Sequence, residues 1–285
     1  MTATGGMTAG GEPTRSRQLA ANVSATMQTL LRKPRPLVPR RPAWRSPGRV
    51  WLIILITIAL VAAAMAFLDG RAALAARELP PRLVAAFDEF TDFGKSGWFL
   101  IPVGILLIVL AAANGLKSLP HFSRLVMAAI TVRLGFLFLA IGVPGLFVTI
   151  LKRIIGRARP FVVEDGGNLV FAPLIWRPEY ASIPSGHGTN AFAAAVAIGA
   201  LWPRTRIIMW PYAVLIAASR VVITAHYPSD VIASAFFGIV GAILVRDWFA
   251  ARRLGFVVDA SGHVHALPGP SWRRVKAVVR RLLSA

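Results

Sequence analysis

The sequence predicts an all-α integral membrane protein with six transmembrane helices in one bundle. Three observations predict it. Of the 285 residues, 56% are hydrophobic and 15% charged, whereas soluble domains usually carry about 25% charged residues. Six apolar segments follow one another, at about 50–68, 98–116, 133–151, 187–203, 207–224 and 229–247. Each approaches the ~20 residues a helix needs to cross a bilayer core. Trp51, Trp98, Trp202, Trp210 and Trp248 stand at or near segment ends, as an interfacial aromatic belt requires. A span must satisfy its backbone groups internally, so packed helices are the natural architecture.

The first apolar segment is preceded by a long polar leader, and no cleavable signal peptide is evident. Residues 1–49 hold eight Arg, one Lys and a single acid, Glu12, with Pro34, Pro36, Pro39, Pro42 and Pro47. They read as a mostly disordered basic tail, with room for a short amphipathic helix around Leu19–Leu31. Residues 50–247 form the membrane domain. Residues 248–285 form a second basic tail. Its SWRRVKAVVRRLLSA end sets Trp272, Val275, Val279 and Leu282 near helical spacing, compatible with an interfacial amphipathic helix or a frayed tail.

The net charge is +20. Such a balance suits nucleic acid or an anionic membrane surface. The basic residues sit in the tails and beside apolar segments, and no nucleic-acid-binding module accompanies them, so the membrane surface is favoured. There is no cysteine, which excludes disulfides, thiolate metal sites and cysteine nucleophiles.

Orientation follows from the Lys/Arg bias. The leader, the connection near Lys117–Arg133, the PRTR turn at 203–206 and the C-terminal tail with Arg246, Arg252 and Arg253 fall on one side of six spans. By the positive-inside rule that side is cytoplasmic, which places both termini there, in a bacterial inner membrane. The opposite side holds 69–97, the loop 152–186 and the turn around His226. The 152–186 loop is net basic against the rule, so it needs another reason for its charge.

Three clusters on that outer side carry chemistry. In LKRIIGRARP (151–160), Lys152 and Arg159 are seven apart and would share one face of a continuous helix, with Arg153 and Arg157 pointing elsewhere. Pro160 would end or redirect that helix. Taken alone, the cluster reads first as a snorkelling collar, a common feature at membrane edges. In IPSGHGTN (183–190), Ser185 suits an N-cap or a free hydroxyl, and Gly186 lets backbone N–H groups approach a ligand. His187 would sit at this helix mouth, where the N–H groups and dipole favour an anion. In SRVVITAHYPSD (219–230), Arg220 closes one span. Pro228 suits the first position of the next, and Asp230 falls in its first turn, within reach of His226.

Together, three cations, two imidazoles and a carboxylate are what a phosphoryl group needs for charge neutralisation, attack and proton transfer. KRIIGRARP, PSGH and SRVVITAHYPSD resemble the three signature motifs of the type-2 phosphatidic acid phosphatase family, which shares them with vanadium haloperoxidases. The spacing has no departure, and the resemblance also covers the six-helix layout. It implies a phosphatase/haloperoxidase-like fold with His226 as the nucleophile, forming a phosphohistidine. Asp230 would orient His226. His187 would protonate the leaving oxygen and then activate water. Lys152, Arg159, Ser185, Gly186 and Arg220 would bind the phosphate. No cofactor and no metal is expected, because the cations supply the electrostatics.

The expected function is metal-independent hydrolysis of a lipid phosphate or diphosphate. Candidates are undecaprenyl diphosphate, phosphatidylglycerophosphate, phosphatidic acid and the phosphates of lipid A. The expected partners are that lipid substrate and the surrounding membrane lipids, with no nucleic acid; oligomeric state is left open. A lipid phosphotransferase using the same histidine is the alternative, ahead of a lipid or anion transporter and a vanadate-dependent oxidase. Substrate choice is expected in 69–97 and 161–182, where Trp176 and Arg177 suit a head group or a purely interfacial role.

Overall fold

A computed structural model describes residues 46–113, 120–163 and 167–283, with scattered positions between 17 and 34. The basic leader, its short helix and the loop at Lys117 lie largely outside the described residues.

Among the described residues, helices α1 (Pro47–Phe67), α2 (Asp69–Arg77), α3 (Pro81–Thr91) and α4 (Gly97–Ala113) precede a long helix α5 (His121–Ile155). Then come α6 (Gly186–Leu201), α7 (Arg206–Val222) and α8 (Pro228–Ala251). A two-stranded antiparallel hairpin, β1 (Phe256–Val258) and β2 (Val264–Ala266), and helix α9 (Trp272–Leu283) close the chain. Five stretches are long and apolar enough to cross a membrane: 47–67, 81–113, 121–155, 203–222 and 228–251. The segment expected at 187–203 is helical over 16 residues. That is a rise of about 24 Å, less than a hydrocarbon core of ~30 Å.

The short helix α6 is the axis of the bundle. It packs on α5, α7 and α8, and alanines 191, 193, 194, 195 and 197 are buried along it. Small residues let backbones approach closely, as helix association in lipid demands. A Cβ on Gly188 would fall 2.2 Å from Ser234 Oγ, and one on Gly238 2.5 Å from Thr189 O, so α6 and α8 meet backbone to backbone. Helices α1 and α4 instead expose Trp51, Leu55, Ile58, Trp98, Ile101 and Ile108. These surfaces face hydrocarbon, which costs nothing in a bilayer.

Helix α8 has 24 residues and spans about 36 Å, so its two ends reach opposite membrane faces. The hairpin and α9 lie at its C-terminal end. The hairpin lies outside the all-α expectation. Its turn is built by Asp259, whose Oδ1 accepts the N–H groups of Ser261 and His263 at 2.9 Å each, with Gly262 at φ 86°. In α9, Val275, Val278 and Leu282 pack on Val126 and Met127 of α5. That apolar face is covered by protein, while Trp272, Val279 and Leu283 stay exposed.

Candidate active site

The other end of the bundle gathers all three sequence clusters. Arg220 lies in the last turn of α7. Its carbonyl accepts the N–H groups of Ala225 and His226, both at 3.1 Å, and Thr224 makes the left-handed step of this turn at φ 53°. Pro228 opens α8, whose first N–H groups have no intrahelical partner. Asp230 Oδ2 accepts the Tyr227 N–H at 2.9 Å. This cap turns the carboxylate back toward His226, whose Nδ1 lies 3.6 Å from Asp230 Oδ2. The contact is ionic in range and longer than a hydrogen bond.

His226 is buried, and that burial pushes its pKa down to about 4, against the opposing pull of Asp230. The ring is therefore neutral at pH 7 and keeps a nitrogen lone pair.

Ser185 caps α6 as the motif predicts, accepting the Gly188 N–H at 3.4 Å. Its own N–H donates to Asp230 O at 3.3 Å, which ties the start of α6 to the start of α8. A Cβ on Gly186 would sit 3.8 Å from Lys152 Nζ, so the lysine amine reaches the mouth of α6. Gly94 presses on the other side of His187, where a Cβ would lie 3.2 Å from Cδ2. His187 lies in the charge field of Arg220 and His226, and His226 in that of Arg159 and Arg220. All eight predicted residues thus converge on one region.

One expectation is corrected. Lys152 and Arg159 do not share a helix. Helix α5 stops at Ile155 because Gly156 takes the left-handed conformation at φ 66°, with its N–H donating to Lys152 O at 3.0 Å. A Cβ there would fall 1.9 Å from Ala172 O. Beyond it the chain is extended and pairs with the return strand. Arg159 N–H donates to Glu179 O at 2.9 Å, and Ser182 N–H to Arg157 O at 3.1 Å. Arg159 is placed by this loop pairing, and Pro160 starts a short 3₁₀ turn.

Arg159 Nε, Arg220 Nε, His187 Nε2 and His226 Nδ1 are buried and have no hydrogen-bond partner. Buried polar atoms are normally paired. His226 Nδ1 is the nitrogen turned to Asp230; the other three unspent atoms, in one region, mark a site built for a polar ligand. Burial lowers the Arg159 pKa, yet Asp230 opposes the shift, and an arginine stays a cation at neutral pH. Two forked guanidinia and an amine suit the oxygens of a phosphoryl group. Among the described residues no group of three or more His, Asp or Glu is arranged to hold a metal ion.

The structure adds residues that the motifs did not single out. Ser182 Oγ donates to Asp230 Oδ2 at 2.5 Å. Thr91 Oγ1 accepts from Arg220 Nη1 at 3.0 Å. Asp69, Arg157 and Ser229 form a buried polar core behind Asp230. Only Arg157 had a signal in the sequence, and helical periodicity sent it away from the site.

Known proteins are similar to this chain. The model of the PAP2 superfamily matches residues 133–254, which hold every cluster above. A lipid A 1-phosphatase of Rhizobium etli is 37% identical over 217 residues, covering 76% of this chain and 92% of that protein. A lipid A 1-phosphatase of Rhizobium johnstonii is 34% identical over 226 residues, covering 77% and 91%. Among solved structures, Aquifex aeolicus LpxE is similar at TM-score 0.42 and 25% identity, over 60% of this chain and 90% of that one. A Bacillus subtilis PAP2-type phosphatidylglycerolphosphate phosphatase is similar at TM-score 0.41 and 20% identity, over 81% and 95%.

Proposed function

Because the chain belongs to the PAP2 superfamily and is a bacterial multi-pass membrane lipid phosphatase, we propose that it hydrolyses the 1-phosphate of lipid A through a phosphohistidine at His226. One observation carries this reading. The unspent nitrogens of Arg159, Arg220 and His187 are buried beside His226 at the end of an apolar bundle.

The chemistry follows from their placement. Nδ1 of His226 is turned to Asp230, so Nε2 attacks phosphorus. The bond from phosphorus to the lipid oxygen breaks, and His187, which burial keeps neutral in the free protein, relays a proton from the substrate's own monoanionic phosphate to that oxygen. Lys152, Arg159, Arg220 and the N–H groups at Ser185–Gly186 hold the phosphoryl oxygens. Water then attacks the phosphohistidine, His187 takes its proton, and inorganic phosphate leaves. Asp230 holds the ring and balances the charge it gains.

The relatives' activity supports the choice of lipid. The basic connections and tail at the opposite end of α8 support a periplasmic site in the inner membrane, with both termini cytoplasmic. The test is phosphate release by purified protein in detergent and EDTA, with lipid A, undecaprenyl diphosphate, phosphatidylglycerophosphate and phosphatidic acid side by side. Lipid A is expected to lead, and His226→Ala to lose at least about 10³-fold. Release from none of the four, phosphate recovered on an acceptor lipid, or an active His226→Ala overturns the reading.

A further inference from the structure

Arg157 lies inside the first cluster, between the predicted phosphate ligands, yet its donors are spent. Nε and Nη2 donate to Asn168 O at 3.0 and 2.7 Å. Nη1 donates to Ser229 Oγ at 2.7 Å and to Asp230 Oδ1 at 2.6 Å. Nη2 also donates to Asp69 Oδ2 at 2.7 Å. The guanidinium lies 4.2 Å from the Tyr227 ring centroid, and its side chain is 0% exposed, as are those of Asp69 and Asp230. Asp69 is held in turn, accepting the Ser229 N–H at 3.0 Å and the Ser229 hydroxyl at 2.5 Å. A cation with no donor left cannot bind substrate.

We propose that Arg157, set by Asp69, is a positioning residue that fixes the Asp230 carboxylate against His226. With Oδ1 taken by Arg157, Oδ2 is the oxygen turned to the ring. Ser182 and the Tyr227 N–H hold it there. A carboxylate with two free rotamers would present either oxygen. At metal sites, losing an outer partner that orients a ligand typically costs about 10–100-fold in activity, and the same scale is expected for a partner that orients Asp230.

The charges around the pair give the test its sign. His226 faces Asp230 from α8, Arg220 from α7, His187 from α6 and Arg159 from the loop. Asp230 faces Arg157, and Arg157 faces Asp69 from α2 and Tyr227. Removing Arg157's charge leaves Asp230 less offset, so His226 holds a proton to higher pH. Removing Asp69's charge does the reverse.

The proposal rests on His226 being the nucleophile, so His226→Ala is measured alongside. The experiment is phosphate release from lipid A against pH by purified Arg157→Gln, Arg157→Lys, Asp69→Asn and Ser229→Ala. Arg157→Gln is expected to lower kcat about 10–100-fold with KM nearly unchanged, and to move the acid limb of the profile up. Asp69→Asn moves that limb down. Arg157→Lys returns the limb toward wild type and recovers part of kcat, because it restores the charge without the fork. Ser229→Ala lowers kcat several-fold and stands in where Arg157→Gln does not fold. Limbs that stay in place, limbs that move in the same direction, or a raised KM with kcat intact overturn the proposal. An active His226→Ala overturns the nucleophile instead.

Discussion

On one side of the His226–Asp230 pair, Arg157 gives all five of its N–H donors to protein oxygens. On the other side, Arg159 and Arg220 each keep a buried Nε without a partner. Arg157 and Arg159 lie two residues apart in the first motif and Arg220 in the third; Arg157 and Arg220 are buried and Arg159 is half-buried. What separates them is where their hydrogen bonds go. A satisfied buried cation is architecture, and an unsatisfied one is a place reserved for a ligand. Residue type alone would have put all three in one class.

The comparison breaks first on stability. Arg157→Met leaves Asp69 and Asp230 as uncompensated buried carboxylates, a loss of about 3–5 kcal/mol. Thermal unfolding in detergent reads it. If Arg157→Met is as stable as the parent, the back of the site is not the brace described.

The front behaves oppositely. Arg159→Ala and Arg220→Ala each remove a donor from the phosphoryl group, expected to lower kcat about 10²–10³-fold. Arg159→Ala should melt near the parent, whereas Arg220→Ala should lose about 1 kcal/mol with its bond to buried Thr91. Initial rates and melting curves on the same preparations check both halves of this statement.

The pH dependence sharpens the comparison further. His226 is neutral in the folded protein down to about pH 4, while the unfolded chain has the ordinary histidine value near 6.5. Between those values the unfolded state binds more protons. Stability therefore falls as pH drops from about 6.5 to 4, and it is regained as pH rises. The acid limb of kcat/KM for the free enzyme should sit near 4, not near 6.5. A limb at the higher value would mean His226 is more hydrated than its burial indicates.

The smallest effect is at the cap. Ser185→Ala removes the side-chain acceptor at the start of α6 and should cost about 1 kcal/mol. Activity should fall with it only if the hydroxyl also meets the phosphate, and comparing the two losses separates those roles.

Much of this was legible in the residues. The spacing of Lys152, Arg159, Ser185, His187, Arg220, His226 and Asp230 brought them to one region. The apolar segments gave the bundle, and the alanine-rich stretch 191–197 became its buried axis. Helix periodicity failed at Gly156. It was carried through to Pro160, although a glycine followed by polar residues is an ordinary helix stop. That error moved Arg157 to the wrong face. Asp69 and Thr91 carry no local signal, because their partners lie 88 and 129 residues away in sequence. Only folding brings such charges together. The hairpin at 256–266 did carry a signal, the runs FVV and VHA on either side of DASG, which reading 248–285 as one basic tail obscures.

Asp69 sits where α1 meets α2, near the beginning of the membrane domain, and its hydrogen-bond partner Ser229 lies 160 residues later. A ribosome makes the chain from the N-terminus, so the anchor enters the bilayer long before the ring it serves. Until α8 arrives, the early carboxylate lacks Ser229 and the imidazole of His226 lacks Asp230. The site is consequently complete only once two parts of the chain far apart in sequence, α2 and α8, have met.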